Sequence, residues 1–165
     1  MILIHSSQNR HKMSTLIHFA SFVAPIRVTK IPLDRWQQKV GEKLYCHKDN
    51  ILKEQKRPSI GVYRKNKKNV EQLLGHVPME LEQLLIHFLN HYGCGLSVIV
   101  IGDRYRDKKG SEMGLVVPGE WQATSPSIEN IKRLITRIKE NPNSLVIENV
   151  SSGAFNIEKK IKKMK

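Results

Sequence analysis

An α+β architecture, mainly β, is expected of this 165-residue chain on three grounds. Short apolar runs recur between clusters of Gly, Pro, Asn and charged residues, the pattern of strands joined by turns. Only two segments carry apolar residues at helical spacing. The length suits one domain able to bury its own core without metals or disulfides. Many short strands around two helices predict a small barrel or curled sheet with helical plugs.

Residues 1–14 are rich in His and Ser, lack periodicity and are expected to be a disordered leader, with Met13 an alternative start. Leu16–Ile26 is apolar below Arg10 and Lys12, as in a signal peptide. His18 within it and the lack of a small-x-small cleavage site speak against that reading. Thr15–Lys30 is expected to form two short strands broken at Pro25, and Pro32–Gly41 a connection carrying Trp36. Lys43–His47 reads as a strand and Asp49–Pro58 as a charged loop. Ser59–Arg64 and Val70–Val77 form a hairpin around the turn Lys65–Asn69.

The first helix is predicted over residues 79–91, where Leu81, Leu84, Leu85, Phe88 and Leu89 make one stripe. Pro78 opens it, and Gly93 and Gly95 stop it. Leu96–Ile101 is a buried strand, Asp103–Gly110 a charged tip, and Leu115–Ala123 a strand containing Trp121. A second helix is predicted over residues 126–140, with Ser125 as N-cap and Pro126 at the first helical position. Its inward face is Ile128, Ile131, Leu134, Ile135 and Ile138. Leu145–Val150 adds a short strand, so that residues 125–150 pack on the main domain. Ser151–Gly153 is expected to be a linker within a basic tail, residues 151–165.

Charge is the strongest compositional signal. Twenty-eight Lys and Arg face fifteen Asp and Glu, a net charge of +13, which favours polyanionic partners. Nucleic acid is the commonest of these, an anionic membrane surface the second, and a merely solvated basic surface the bland alternative. No apolar run reaches the roughly 20 residues that span a bilayer, and no membrane partner is expected. Cys46 and Cys94 are too few for a disulfide framework, which implies a reducing, intracellular setting, nuclear in a eukaryote. No phosphate-cradling loop, nucleophile triad or carboxylate pair is legible, so neither an enzyme nor a cofactor is expected.

Between Lys53 and Lys68 seven cations stand against Glu54, and Arg104-Tyr105-Arg106-Asp107-Lys108-Lys109 interleaves an aromatic with cations. Guanidinium groups pair with phosphates while a tyrosine ring stacks on a base; the alternative is a tip charged against edge pairing. In the tail, Lys159, Lys160, Lys162, Lys163 and Lys165 face only Glu158, a possible arm or import signal. His87, His91 and Cys94 have a spacing compatible with zinc, but no fourth ligand is legible and no metal is expected. Trp36 and Trp121 read as packing residues.

An ordered series of short motifs carries a family resemblance. It runs through Phe19-Ala20-Ser21-Phe22-Val23, Trp36, Val40-Gly41-Glu42-Lys43-Leu44 and Ile60-Gly61-Val62-Tyr63. Leu74-Gly75-His76-Val77-Pro78-Met79-Glu80-Leu81 follows, then His91-Tyr92-Gly93, Ile99-Val100-Ile101-Gly102-Asp103-Arg104-Tyr105-Arg106 and Gly114-Leu115-Val116-Val117-Pro118. Residues 15–124 thereby resemble the HIRAN domain, found in helicase-like transcription factor, in related repair ATPases and in small free-standing proteins. The resemblance implies an OB-like small β-barrel of about six strands with two short helices. It also implies binding of single-stranded DNA, especially a free 3′ end.

Transfer of the family's binding residues is partial. Where binding members carry Gly-x-Arg-Tyr-Tyr, this chain has Pro25-Ile26-Arg27-Val28-Thr29, which keeps the arginine and lacks both rings. Gln55 and Lys56 stand near the place of an acidic residue, and Met79 where Lys or Arg is usual; Gly75 and His76 match. The expected function is a nucleic-acid-binding module for single-stranded DNA or DNA ends, without 3′-end specificity. Its expected contacts are Arg27, Arg64, His76, Arg104, Tyr105, Arg106, Lys108 and Lys109. A protein-interaction domain that keeps the scaffold without DNA-end recognition is the alternative.

Overall fold

The computed structural model describes residues 16–28, 37–49, 59–107, 114–141 and 148–156. Antiparallel strands dominate, with two helices, as the mainly β expectation requires. The strands are β1 (Leu16–Val28), β2 (Lys43–Asp49), β3 (Ser59–Lys65), β4 (Glu71–His76), β5 (Gly95–Val100), β6 (Tyr105–Asp107), β7 (Gly114–Ser125) and β8 (Glu148–Asn156). The helices are α1 (Met79–Leu89) and α2 (Ile128–Lys139). Eight strands are thus present among the described residues, against about six expected.

Neighbouring strands pair in the order β6-β7-β5-β2-β3-β4-β1-β8, and β1 also pairs with β7. Long β1 organises this arrangement. One edge meets β7 from His18 opposite Ser125 to Arg27 opposite Val116. The other meets β8 as far as Val23 and β4 from Arg27 onward. Pro25 therefore does not break the strand, contrary to expectation. It lies opposite Pro118, in the interval where β8 has ended and β4 has not begun. Pro118 occupies the matching interval on β7, between its pairings with β5 and β6. A proline is tolerated where no second neighbour requires its N–H.

Alternation along each strand builds the interior. Ala20, Phe22, Ala24 and Ile26 of β1 meet Val117, Trp121 and Ala123 of β7 and Leu44, Ile60, Val62 and Val98 of the neighbouring strands. Trp121 is fully buried, lies nearly parallel to Phe22 at 6.4 Å between ring centroids, and donates Nε1–H to the Ala24 carbonyl at 2.9 Å. Its assignment as a packing residue holds; Trp36 lies outside the described residues. Burial pushes the Cys46 thiol up, and both cysteines are free.

Helix α1 buries Leu81, Leu85, Ile86 and Phe88, with Leu84 and Leu89 packed at the margin of the core. It ends at Asn90, and the chain turns through Gly93, whose φ of +76° suits a residue without a Cβ. Two expectations for α2 are corrected. Its N-cap is Ser127, which accepts from the Asn130 N–H, because pairing with β1 holds Ser125 in β7. Ser125 is fully buried and accepts the Ser127 N–H at 3.0 Å, supporting the turn from the strand side. Ile128 is exposed; Ile131, Leu134 and Ile138 form the inward face, with Ile135 packed beside them.

Ser151–Gly153 is not a linker. It lies inside β8, where Gly153 stands opposite Phe19 and Phe155 opposite Ile17. Small residues bring β8 close to β1, and the Phe19 and Phe155 rings meet at 6.4 Å. The leader, the charged loop before β3 and the basic end after Asn156 lie outside the described residues.

Candidate nucleic-acid interface

Register places three of the expected contacts in one row across the sheet. Tyr105 of β6 stands opposite Val116 of β7, Val116 opposite Arg27 of β1, and Arg27 opposite His76 of β4. The row continues from His76 to Gly61 of β3 and from Gly61 to His47 of β2. Residues directly opposite in an antiparallel ladder project to the same face. Ile26, Val117, Ile60, Val62 and Cys46, which precede or follow these positions, form the core, so the row turns away from it, with Val116 and Gly61 themselves buried. Tyr105 is 46% exposed, and Arg27 and His76 are half-buried.

A close backbone approach fixes the centre of this row. A Cβ on Gly75 would stand 2.2 Å from the Arg27 carbonyl oxygen and 3.2 Å from a methyl of Ile26, so only glycine lets β4 meet β1 here. Arg27 then donates Nε–H to the Val77 carbonyl at 2.8 Å. Gly75 and His76, the best-matching motif in the sequence, thus mark the corner where the two strands converge.

The other expected contacts fall elsewhere. Arg64 reaches Glu42 with both ends of its guanidinium, Nε to Oε1 at 2.7 Å and a terminal nitrogen to Oε2 at 3.1 Å. Their side chains are 30% and 17% exposed, which makes this a partly buried internal pair; it does not support Arg64 as a phosphate contact. Arg104 is half-buried and donates Nε–H to the Gln38 side-chain oxygen at 3.1 Å. Arg106 is exposed opposite Leu115, one residue from Tyr105 and hence on the other face of β6. Lys108 and Lys109 lie outside the described residues.

Sequence reading missed the aromatic extension of the row. Tyr45 and His47 of β2 are exposed, while Leu44 before them and Cys46 between them are buried. Tyr63 stands opposite Tyr45, its ring lies 5.1 Å from that of His47, and the Lys65 ammonium sits 4.9 Å over the Tyr45 ring. His47 also meets the Glu71 carboxylate at 2.9 Å. The alternation of Lys43, Tyr45 and His47 with Leu44 and Cys46 was the available signal, since period two exposes every second residue.

Among the described residues, no group of three His, Cys, Asp or Glu is placed to hold a metal ion. Cys94 accepts a weak hydrogen bond from the Asn130 amide at 3.8 Å, on the side of α2. No helix among these residues is long and apolar enough to cross a membrane. No family model, curated protein or solved structure matches the chain.

Proposed function

We propose that this protein is a non-enzymatic nucleic-acid-binding module of HIRAN-like build that holds single-stranded DNA along the outward row. The observation carrying the reading is the register of Tyr105, Arg27 and His76 across β6, β7, β1 and β4. A ring for base stacking, a guanidinium for phosphate and an imidazole for phosphate or a terminal hydroxyl then share one face. The pairing cycle β7-β5-β2-β3-β4-β1 with return to β7 is read as the OB-like barrel that the resemblance implies. Outer strand faces of such barrels bind oligonucleotides. The exposed Tyr45 with Lys65 above it extends the same chemistry along β2 and β3.

Fluorescence anisotropy tests this directly, using single-stranded oligonucleotides ending in 3′-hydroxyl or 3′-phosphate. Equal binding of both is expected, because the family's paired rings are replaced at Val28 and Thr29. Affinity should fall with salt at a slope of roughly −2, that of about three phosphates on a single strand. Tyr105→Ala should weaken binding by about 1–3 kcal/mol, the usual contribution of one stacked base. No measurable binding at about 50 mM salt, where phosphate contacts are strong, would refute the reading and leave the protein-interaction alternative.

A further inference from the structure

A second cationic surface lies away from the outward row, between the helices. Asn141 after α2 donates to the Glu80 carbonyl at the start of α1, while Asn130 at the start of α2 reaches Cys94 beyond the end of α1. The helices therefore run antiparallel. Between them is a shallow groove with Leu84, Phe88 and Leu134 as its apolar floor. His87 near the end of α1 and His91 in the turn that follows it line one wall, and Arg133 and Arg137, one turn apart on α2, line the other. Asn130 closes one end, and no carboxylate lines the groove.

We propose that this groove binds a doubly charged tetrahedral oxyanion, the head group of a phosphate monoester. The assignment is independent of the nucleic-acid reading. Arginines four apart on a helix repel one another, and two histidines facing them add to the repulsion when charged. Neither arginine has an ion-pair partner among the described residues. A dianion would bridge both guanidinium groups and relieve the crowding. The histidines are suited to the same ligand. His91 Nδ1 lies 3.0 Å from the His87 carbonyl, which can only accept, so Nδ1 carries hydrogen and Nε2 is the nitrogen left to take up a proton. The His87 ring stands edge-on to it at 5.2 Å.

A pH dependence follows. Arg137 chiefly, then burial, His91 and Arg133 hold His87 below its ordinary pKa of 6.5 in the anion-free protein. These are the charged and titratable groups facing it from α2 and from the turn after α1. A bound dianion opposes their effect and favours the imidazolium, so binding takes up a proton and tightens as pH falls through that range.

Sulfate separates the protein's titration from the ligand's, because it stays dianionic throughout. The experiment follows the imidazole resonances of the full chain by NMR during sulfate titration at constant ionic strength. Glycerol phosphate and dimethyl phosphate serve as monoester and monoanionic diester. Sulfate and the monoester should shift the His87 and His91 signals, with sulfate affinity rising roughly threefold to tenfold from pH 7.5 to 6. Arg133→Gln/Arg137→Gln, on exposed positions, should weaken binding at least about tenfold with an unchanged thermal midpoint. Tyr105→Ala should leave sulfate binding intact. Absence of histidine shifts, undiminished shifts in the double variant, or an equal response to the diester would each overturn the assignment.

Discussion

Arg27 and Arg64 lie on strands of the same sheet, and the sequence offers both as phosphate contacts. Their surroundings divide them. Arg27 donates to a backbone carbonyl beside His76, whereas Arg64 meets the Glu42 carboxylate through both faces of its fork. The carbonyl bond orients a guanidinium; the bidentate carboxylate also pairs its charge within the fold. A basic residue's value to a polyanion thus depends on the acceptor that holds it. Local charge counts in a sequence do not record that acceptor.

The largest test breaks the Arg27 side at its backbone. Gly75→Ala sets a methyl 2.2 Å from the Arg27 carbonyl oxygen, and a backbone atom cannot step aside as a flexible side chain can. The clash should cost at least about 3 kcal/mol or force β4 from β1, beyond the usual effect of a point substitution. Thermal denaturation would register a midpoint fall on the order of 10 °C, and amide exchange should accelerate at Val28 and His76. An unchanged midpoint would show that the two strands do not approach as closely as their register indicates.

The same contrast explains what was legible beforehand. Periodicity locates α1, α2 and the buried runs of β3, β5 and β7, because one-sided burial writes its period into composition. It does not reveal that Pro25 sits at a change of partner, or that β8 completes the other edge of β1, since both depend on pairing between distant segments. The site follows the same rule. Gly75-His76 stands out as a motif and Tyr105 as a ring among cations, but their shared row exists only through Val116 and Arg27. Glu42, twenty-two residues before Arg64, carries no mark of its role as counter-ion.

A double-mutant cycle measures the Arg64 side. Glu42→Gln leaves a partly buried guanidinium without its charge partner and should cost about 1–3 kcal/mol. Arg64→Met should remove most of the penalty when combined with it, because a missing pair is tolerated better than a broken one. Urea denaturation of the four proteins should give a coupling of about 1–2 kcal/mol. Additive effects would mean the pair is held apart in solution and that Arg64 is available to ligand after all.

The smallest expected effect on stability lies at His47 and Glu71, an exposed pair at 2.9 Å with side chains 45% and 37% accessible. Exposed pairs contribute roughly 0–1 kcal/mol, so Glu71→Gln should leave the unfolding midpoint nearly unchanged. Its effect on binding should be larger than its effect on folding. The carboxylate stands beside the histidine that ends the row, where its negative charge repels a phosphate. Removing it should tighten single-stranded DNA roughly twofold to fivefold at low salt, with the gain fading as ionic strength screens the contact. The same substitution at Glu42 should bring a stability loss with its gain in charge, since that carboxylate is built into the fold. If Glu71→Gln weakens binding, its carboxylate must be orienting His47 for the ligand, and an acidic acceptor would then prepare a contact as a carbonyl does for Arg27.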